Sequence, residues 1–201
     1  REKGKFMTTS KALNGFRPLR MRGSGAYSGG MSEYRIASAT NVNIFTGDLV
    51  CTSLGFIRPH AAVTEKITGV FMGCNYEQDG EPKWSRHWPS GTSASNIRAL
   101  VVDDPRATFA VQADASVSLG DLYDINFDVT LGAGSTTTGK SGFGLEAGTR
   151  ATTPAALRIV GVIDAPGNDI DVAAERAFLQ VEVRINEHID AYISAGTSTL
   201  V

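Results

Sequence analysis

The sequence predicts an all-β protein, a single antiparallel β-sandwich or barrel-like domain with an extended N-terminal arm. Three observations predict it. Polar and apolar residues alternate with a period of two along several segments. Other short runs are apolar on both faces, as interior strands are. The 22 glycines, against 8% aromatic residues, supply turns where helical periodicity is poor. At 201 residues, 42% of them hydrophobic and 20% charged, the chain suits one sizeable globular core.

The N-terminal segment stands apart by charge. Residues 1–35 carry eight Lys or Arg against Glu2 and Glu33, a balance of +6, so the remainder holds −8 of a net −2. A basic, Gly-rich leader such as RGSGAYSGG (22–30) on an acidic body reads as an arm that meets something negative. Phe16, Pro18, Leu19 and Tyr27 give it apolar anchors, set among Arg17, Arg20 and Arg22. Their planar guanidinium groups suit carboxylates. The competing expectation is that residues 14–35 fold onto their own body as a strand or lid, since termini often pair with sheet edges. The chain therefore divides into an arm (1–35), a β domain (36–190) and a C-terminal tail (191–201).

NVNIF (41–45) and LVCTS (49–53) flank a tight connection, Thr46-Gly47-Asp48. ITGVFMGCNY (67–76) and KWSRHW (83–88) should form a hairpin through the turn chemistry of EQDGEP. ITGVFMGCNY, IRALVVD (97–103) and LRIVGVID (157–164) read as interior strands, apolar on both faces. Three more segments alternate. TFAVQAD turns Phe109, Val111 and Ala113 inward; YDINFDVTL turns Tyr123, Ile125, Phe127, Val129 and Leu131; LQVEVRIN turns Leu179, Val181, Val183 and Ile185. DVAAERAF (171–178) is the best helical candidate.

One motif demands a decision. GSTTTGKS (134–141) matches the phosphate-binding loop pattern letter for letter. That loop works only between a buried parallel strand and a helix whose first N–H groups face the phosphates. The preceding strand, YDINFDVTL, has a polar face, and GFGLEAGTRATTPAA after it has three glycines, a proline and no helical period. The segment reads as a Gly/Thr loop.

Other chemistry is sparse. His60, His87 and His188 lie far apart in no metal-ligand spacing. GTSAS (91–95) lacks the last glycine of a nucleophile elbow. Asp164, Asp169 and Asp171 in DAPGNDID read as solvated turn acids without EF-hand spacing. Cys51 and Cys74 sit in apolar segments and are expected as free buried thiols. Trp84 and Trp88, four apart, should share a face with Arg86, as core or as a surface patch for a partner. No catalytic set assembles, so neither an enzyme nor a cofactor or metal requirement is expected. No run of 18 apolar residues exists, and the first thirty residues show no secretory signal.

The order of landmarks resembles a family of head decoration or virion structural proteins of tailed phages, many of them short-tailed marine phages. The landmarks are NGFRPLR (14–20), YRIASATNVNIFTGDLV (34–50), GVFMGCNY (69–76), WSRHWPSGTSAS (84–95), ALVVDDPRATFAVQAD (99–114) and GSTTTGKSG (134–142). The resemblance covers most of residues 14–190. Where the family pattern has Gly-Asp-Pro-Val, this chain has Gly47-Asp48-Leu49-Val50. The resemblance implies a capsid cement protein made in the host cytoplasm. It would bind the outside of the assembled head, tie neighbouring subunits of the major capsid protein together and be compatible with trimerisation on the shell. No nucleic-acid or membrane partner is implied. Another virion β-protein, such as a tail or glycan-binding module, is the alternative, favoured by exposed aromatics around Trp84 and Trp88.

Overall fold

Side chains alternate across a strand, so the apolar pattern of each strand decides how many layers it touches. The computed structural model describes residues 10–23, 25–62, 64–168 and 176–191. Its strands are β1 Arg17–Met21, β2 Gly25–Ala26, β3 Ser32–Tyr34, β4 Ile44–Phe45, β5 Leu49–Ser53, β6 Phe56–Pro59, β7 Gly69–Gln78, β8 Glu81–Ser85 and β9 His87–Trp88. They continue as β10 Ser95–Val102, β11 Ala107–Gln112, β12 Ser116–Val117, β13 Asn126–Thr130, β14 Gly144–Ala151, β15 Leu157–Val162, β16 Arg176–Ala177 and β17 Gln180–Ile185. A seven-stranded sheet runs β14-β13-β15-β17-β11-β1-β2, and a six-stranded sheet runs β3-β10-β7-β5-β6 with β8 added on β7. Pairings within both sheets are antiparallel, so the all-β antiparallel expectation holds.

Two cores follow from the alternation. Leu49, Val70 and Val102 of the smaller sheet join Phe109, Phe127, Leu157 and Val183 of the larger sheet in one cluster. Their sequence neighbours Val50, Phe71 and Val101 point the other way, into a second cluster with Ile36, Ile44 and Trp88. This is why ITGVFMGCNY and IRALVVD are apolar on both faces. LRIVGVID differs: β15 lies inside its sheet between β13 and β17, yet Val160 and Val162 stay half-exposed.

The predicted hairpin forms, with β7 on β8 and Asn75 opposite Trp84. Its tip is Asp79-Gly80 with φ of 58° and 81°, the two positive dihedrals that a two-residue turn matched to strand twist requires. The Thr46–Asp48 connection is also tight: the Asp48 carboxylate accepts the Phe45 N–H at 2.7 Å. Its two flanks are not partners, however, since β4 pairs with β9.

Three readings need correction. The boundary at residue 35 cuts through the sheet. The arm is extended, but β1 pairs with β11 and Phe16 is 0% exposed in the larger core. The physical reason is that β11 offers an open ladder edge and Phe16 an apolar side chain to bury, worth about 1.5–3 kcal/mol. Pro18, which donates no ladder bond, sits at the bulge between Pro18 and Arg20. YDINFDVTL alternates only in its middle: Phe127 and Val129 are buried, whereas Tyr123, at φ 70°, and Leu131 are exposed. Trp84 and Trp88 do not share a face, because β8 ends at Ser85 before β9 begins. Trp88 is buried with its ring edge-on to Tyr76 at 5.3 Å, and Trp84 is 60% exposed. The helical candidate falls mostly outside the described residues, as do Asp169 and Asp171; of its described part, Arg176–Ala177 is a strand paired with β12 and Phe178 is a turn residue at φ 59°. Residues 192–201 of the tail also lie outside.

Candidate functional site

The predicted arm residues meet at one edge of the seven-stranded sheet, in three different conditions. Phe16 is wholly buried in the core between the sheets. Arg17, Leu19 and Arg22 are exposed, Pro18 is half-buried, and half-buried Tyr27 donates its hydroxyl to the Gly30 carbonyl at 2.6 Å. Arg20 grips Glu182 with two charge-assisted bonds of 2.7 Å.

The register carries this edge into the sheet's outer face. Arg20 lies opposite Thr108, Thr108 opposite Arg184, Arg184 opposite Arg158 and Arg158 opposite Asn126. Residues opposite one another share a face, so three arginines stand in one row. Asn126 is the polar hub at its far end, accepting from Arg158 Nε and Asn186 Nδ2, each at 2.8 Å. The Arg184 side chain makes no hydrogen bond or ion pair among the described residues, and its Nε is buried without a partner. Burial, then the charges of Arg158 and Arg22, pull its guanidinium below the ordinary value. Like charges directly opposite on neighbouring strands destabilise a sheet. A recess of about 170 Å³ opens beside the row, lined in part by Arg20, Arg22, Thr108, Tyr123, Val160 and Glu182. The sequence marked Arg20 and Arg22 but missed Arg158 and Arg184. Only the pairing register unites them.

GSTTTGKS closes on itself. The Gly139 N–H donates to Ser135 at 2.7 Å, Ser135 to Lys140 at 2.9 Å and Ser141 to Thr46 at 3.0 Å, which occupies donors that a phosphate cradle would need. A Cβ on Gly134 would collide with the Phe45 ring, so that glycine serves close packing. Strand β14 follows where a phosphate loop requires a helix.

The histidines have separate settings. His87 stacks on Phe45 with ring centroids 5.6 Å apart, and His188 is buried, accepting the Asp190 N–H at 3.1 Å. His60 has company that the sequence reading missed. Its Nδ1 lies 3.4 Å from Cys51 Sγ, and a Glu65 oxygen completes a group whose atoms are all within 4.8 Å of one another. Burial, with Glu65 adding to it, pushes the Cys51 thiol up to about 12; burial lowers His60; hydrogen bonds from Arg58 hold Glu65 down at about 2. Cys51 and Cys74 are free and buried, as expected.

Trp84 borders a groove of about 450 Å³ with Asn75, Glu77, Lys83, Asn96 and Arg98. The hairpin thus presents an aromatic face ringed by polar groups.

No protein-family model, curated protein or solved structure matches the chain.

Proposed function

We propose that this chain is a phage head decoration protein that docks on an acidic surface of the major capsid protein through the outer face of its seven-stranded sheet. The observation that carries the reading is the unneutralised arginine row. Of the four arginines, Arg20 is paired with Glu182 and Arg158 donates to the neutral Asn126, while Arg184 feels the charges of Arg158 and Arg22 and has no acid beside it among the described residues. A protein that keeps an unpaired, half-buried arginine at a cost in stability keeps it for a ligand. The recess beside the row brings Arg20 and Arg22 together with Tyr123 and Val160, so a docking carboxylate would find cations and apolar contact side by side. The landmark order of the sequence supports the virion setting. Sites repeated over a shell add avidity to a modest single contact.

The test is co-sedimentation of the full chain with undecorated heads of the parent phage over a range of salt. Saturable binding that weakens with salt is expected, together with at least a roughly tenfold loss in an Arg158→Glu, Arg184→Glu pair. Failure of the wild type to bind heads, or equal binding by the pair, overturns the reading.

A second reading, a glycan-binding virion module, is favoured by Trp84. An exposed indole beside amides and charged groups is the composition of a sugar platform. Under that reading oligosaccharides quench tryptophan fluorescence in the wild type and not in Trp84→Ala, while heads are not bound.

A further inference from the structure

We propose that Cys51, His60 and Glu65 form a binding site for a thiophilic divalent cation of the zinc class. The inference is independent of the docking face. Cys51 Sγ and His60 Nδ1 are 3.4 Å apart. Zinc bonds of about 2.3 Å to sulfur and about 2.05 Å to nitrogen, at the tetrahedral angle, place those donors about 3.6 Å apart. The pair therefore already stands at ligand spacing.

The hairpin builds this spacing. Val50 lies opposite Pro59, and the His60 N–H donates to the Leu49 carbonyl at 2.8 Å, so the β5–β6 ladder sets sulfur against imidazole. Cys51 and His60 are buried, which keeps water from competing. The chain then turns back within a few residues, the Glu65 N–H bonding the Ala62 carbonyl at 3.0 Å, and returns a carboxylate to the pair.

That carboxylate has the outer support that metal ligands commonly have. Arg58 holds it with bonds of 3.0 and 2.6 Å, and the Ala61 N–H adds one of 3.2 Å. A carboxylate has about four lone-pair positions, so Glu65 can offer one to a cation while Arg58 keeps its orientation. Glu65 and Arg58 are both only partly buried, so a small shift of the pair together closes the longer edges of the triangle without breaking their bonds. The donor set selects the ion. One thiolate, one imidazole and one carboxylate suit zinc, whereas calcium and magnesium take oxygen ligands. Thiolate and carboxylate balance the charge of a dication. On binding, the metal–sulfur bond replaces the thiol S–H bond, and the proton leaves to solvent. Three protein ligands leave one tetrahedral position for water or for a group from a partner. The ligands are separated by eight and four residues in the sequence, a spacing that matches no common motif and that only the hairpin register reveals.

The test is titration of the chelator-stripped full chain with Co²⁺, followed by displacement with Zn²⁺. One ion per chain is expected, with a thiolate-to-cobalt charge-transfer band and the strong visible bands of a four-coordinate ion. Both should vanish in Cys51→Ser and His60→Ala and persist in Cys74→Ala. Affinity should fall roughly tenfold or more in Glu65→Gln. Because the buried substitutions threaten folding, X-ray absorption on the zinc-loaded wild type gives a second reading: one sulfur neighbour at about 2.3 Å is expected. A folded wild type without the charge-transfer band, a band that survives in Cys51→Ser, or a zinc shell without sulfur overturns the proposal.

Discussion

The two sheets handle polar groups in opposite ways. The seven-stranded sheet has one apolar face and one polar face, and the polar face carries exposed Arg20, half-buried Arg158 and Arg184, and buried Glu182 and Asn126. The six-stranded sheet is apolar on both sides over its central strands, packed between two apolar clusters. Two carboxylates show the consequence. Burial pushes both upward. Glu182 receives two hydrogen bonds from Arg20, which together with the charges of Arg20 and Arg22 outweigh its burial and hold it below the ordinary value. Asp48, just before β5, accepts the Phe45 N–H at one oxygen, leaves Oδ1 buried without a partner and has no cation beside it among the described residues, and it rises to about 6. An open face leaves room for an arginine to reach its acid, and a layer between two cores does not.

If both clusters are true cores, a charge in either should unfold the protein. Val183→Asp, in the core between the sheets, and Val101→Asp, in the second cluster, should each cost several kcal/mol, comparable to a domain's whole margin of about 5–15. Asp128→Ser, at a half-exposed position of β13, should stay within about 0.5 kcal/mol. Thermal melts of the three variants check this. A folded Val101→Asp with a near-native melting temperature would reduce the second cluster to a surface patch and erase the contrast between the sheets.

What the sequence made legible follows the same division. Period-two alternation with one polar face is a local signal, and it located LQVEVRIN and the middle of YDINFDVTL. Runs apolar on both faces announced β7 and β10 as interior strands, because each touches two cores. The ends of these runs were illegible, since Tyr123 and Leu131 extend the alternating pattern beyond the point where the sheet still covers them. For the arm, charge alone marks residues 1–35 as a unit, while the alternative of a strand on the sheet edge is the one that β1 takes: the open edge of β11 and the burial of Phe16 decide where residues 16–21 fold. Both candidate sites depend on register. Arg158 and Arg184 are 26 residues apart in the chain yet lie directly opposite one another. The Cys51–His60 contact arises only once β5 and β6 are aligned.

The carboxylate contrast makes a prediction about pH. Unfolded, Asp48 ionises near the ordinary value of about 3.9; folded, it does so near 6. Between those values the native state holds a proton that the unfolded chain has released, so stability falls as pH rises through the window and levels off above it. At about 1.4 kcal/mol per unit over roughly 2 units, the loss is about 3 kcal/mol. Glu182, whose value is lowered, acts in the opposite sense, and its contribution is lost on acidification. Burial of His60 and His188 also lowers their values, so they too favour the native state as pH rises. The measure is therefore the difference between wild type and Asp48→Asn in urea midpoints from pH 4 to 7. The wild type should lose ground relative to the variant as pH rises. Parallel curves would mean that Asp48 ionises normally inside the fold.

The smallest effect sharpens the comparison on the polar face itself. Arg184 faces Arg158 across the ladder, feels Arg22 nearby and leaves its Nε unpaired. Removing it deletes a like-charge pair directly opposite on neighbouring strands, an interaction worth about 0.2–1 kcal/mol. It also removes packing by the alkyl stem, which works in the other direction. Arg184→Ala should therefore melt within about 1 kcal/mol of wild type, and Arg184→Gln, which keeps more of the stem, should be neutral or slightly more stable. Arg20→Ala should behave differently, because it strands the buried Glu182 carboxylate, and it should destabilise the fold more than either Arg184 variant. Head binding should reverse the emphasis. Arg184→Gln, nearly silent in stability, should weaken docking and reduce its salt dependence, since the charge it removes is the one left without an internal partner. Equal head affinity for wild type and Arg184→Gln, with an unchanged salt slope, would assign the row to the fold alone and move the docking surface elsewhere.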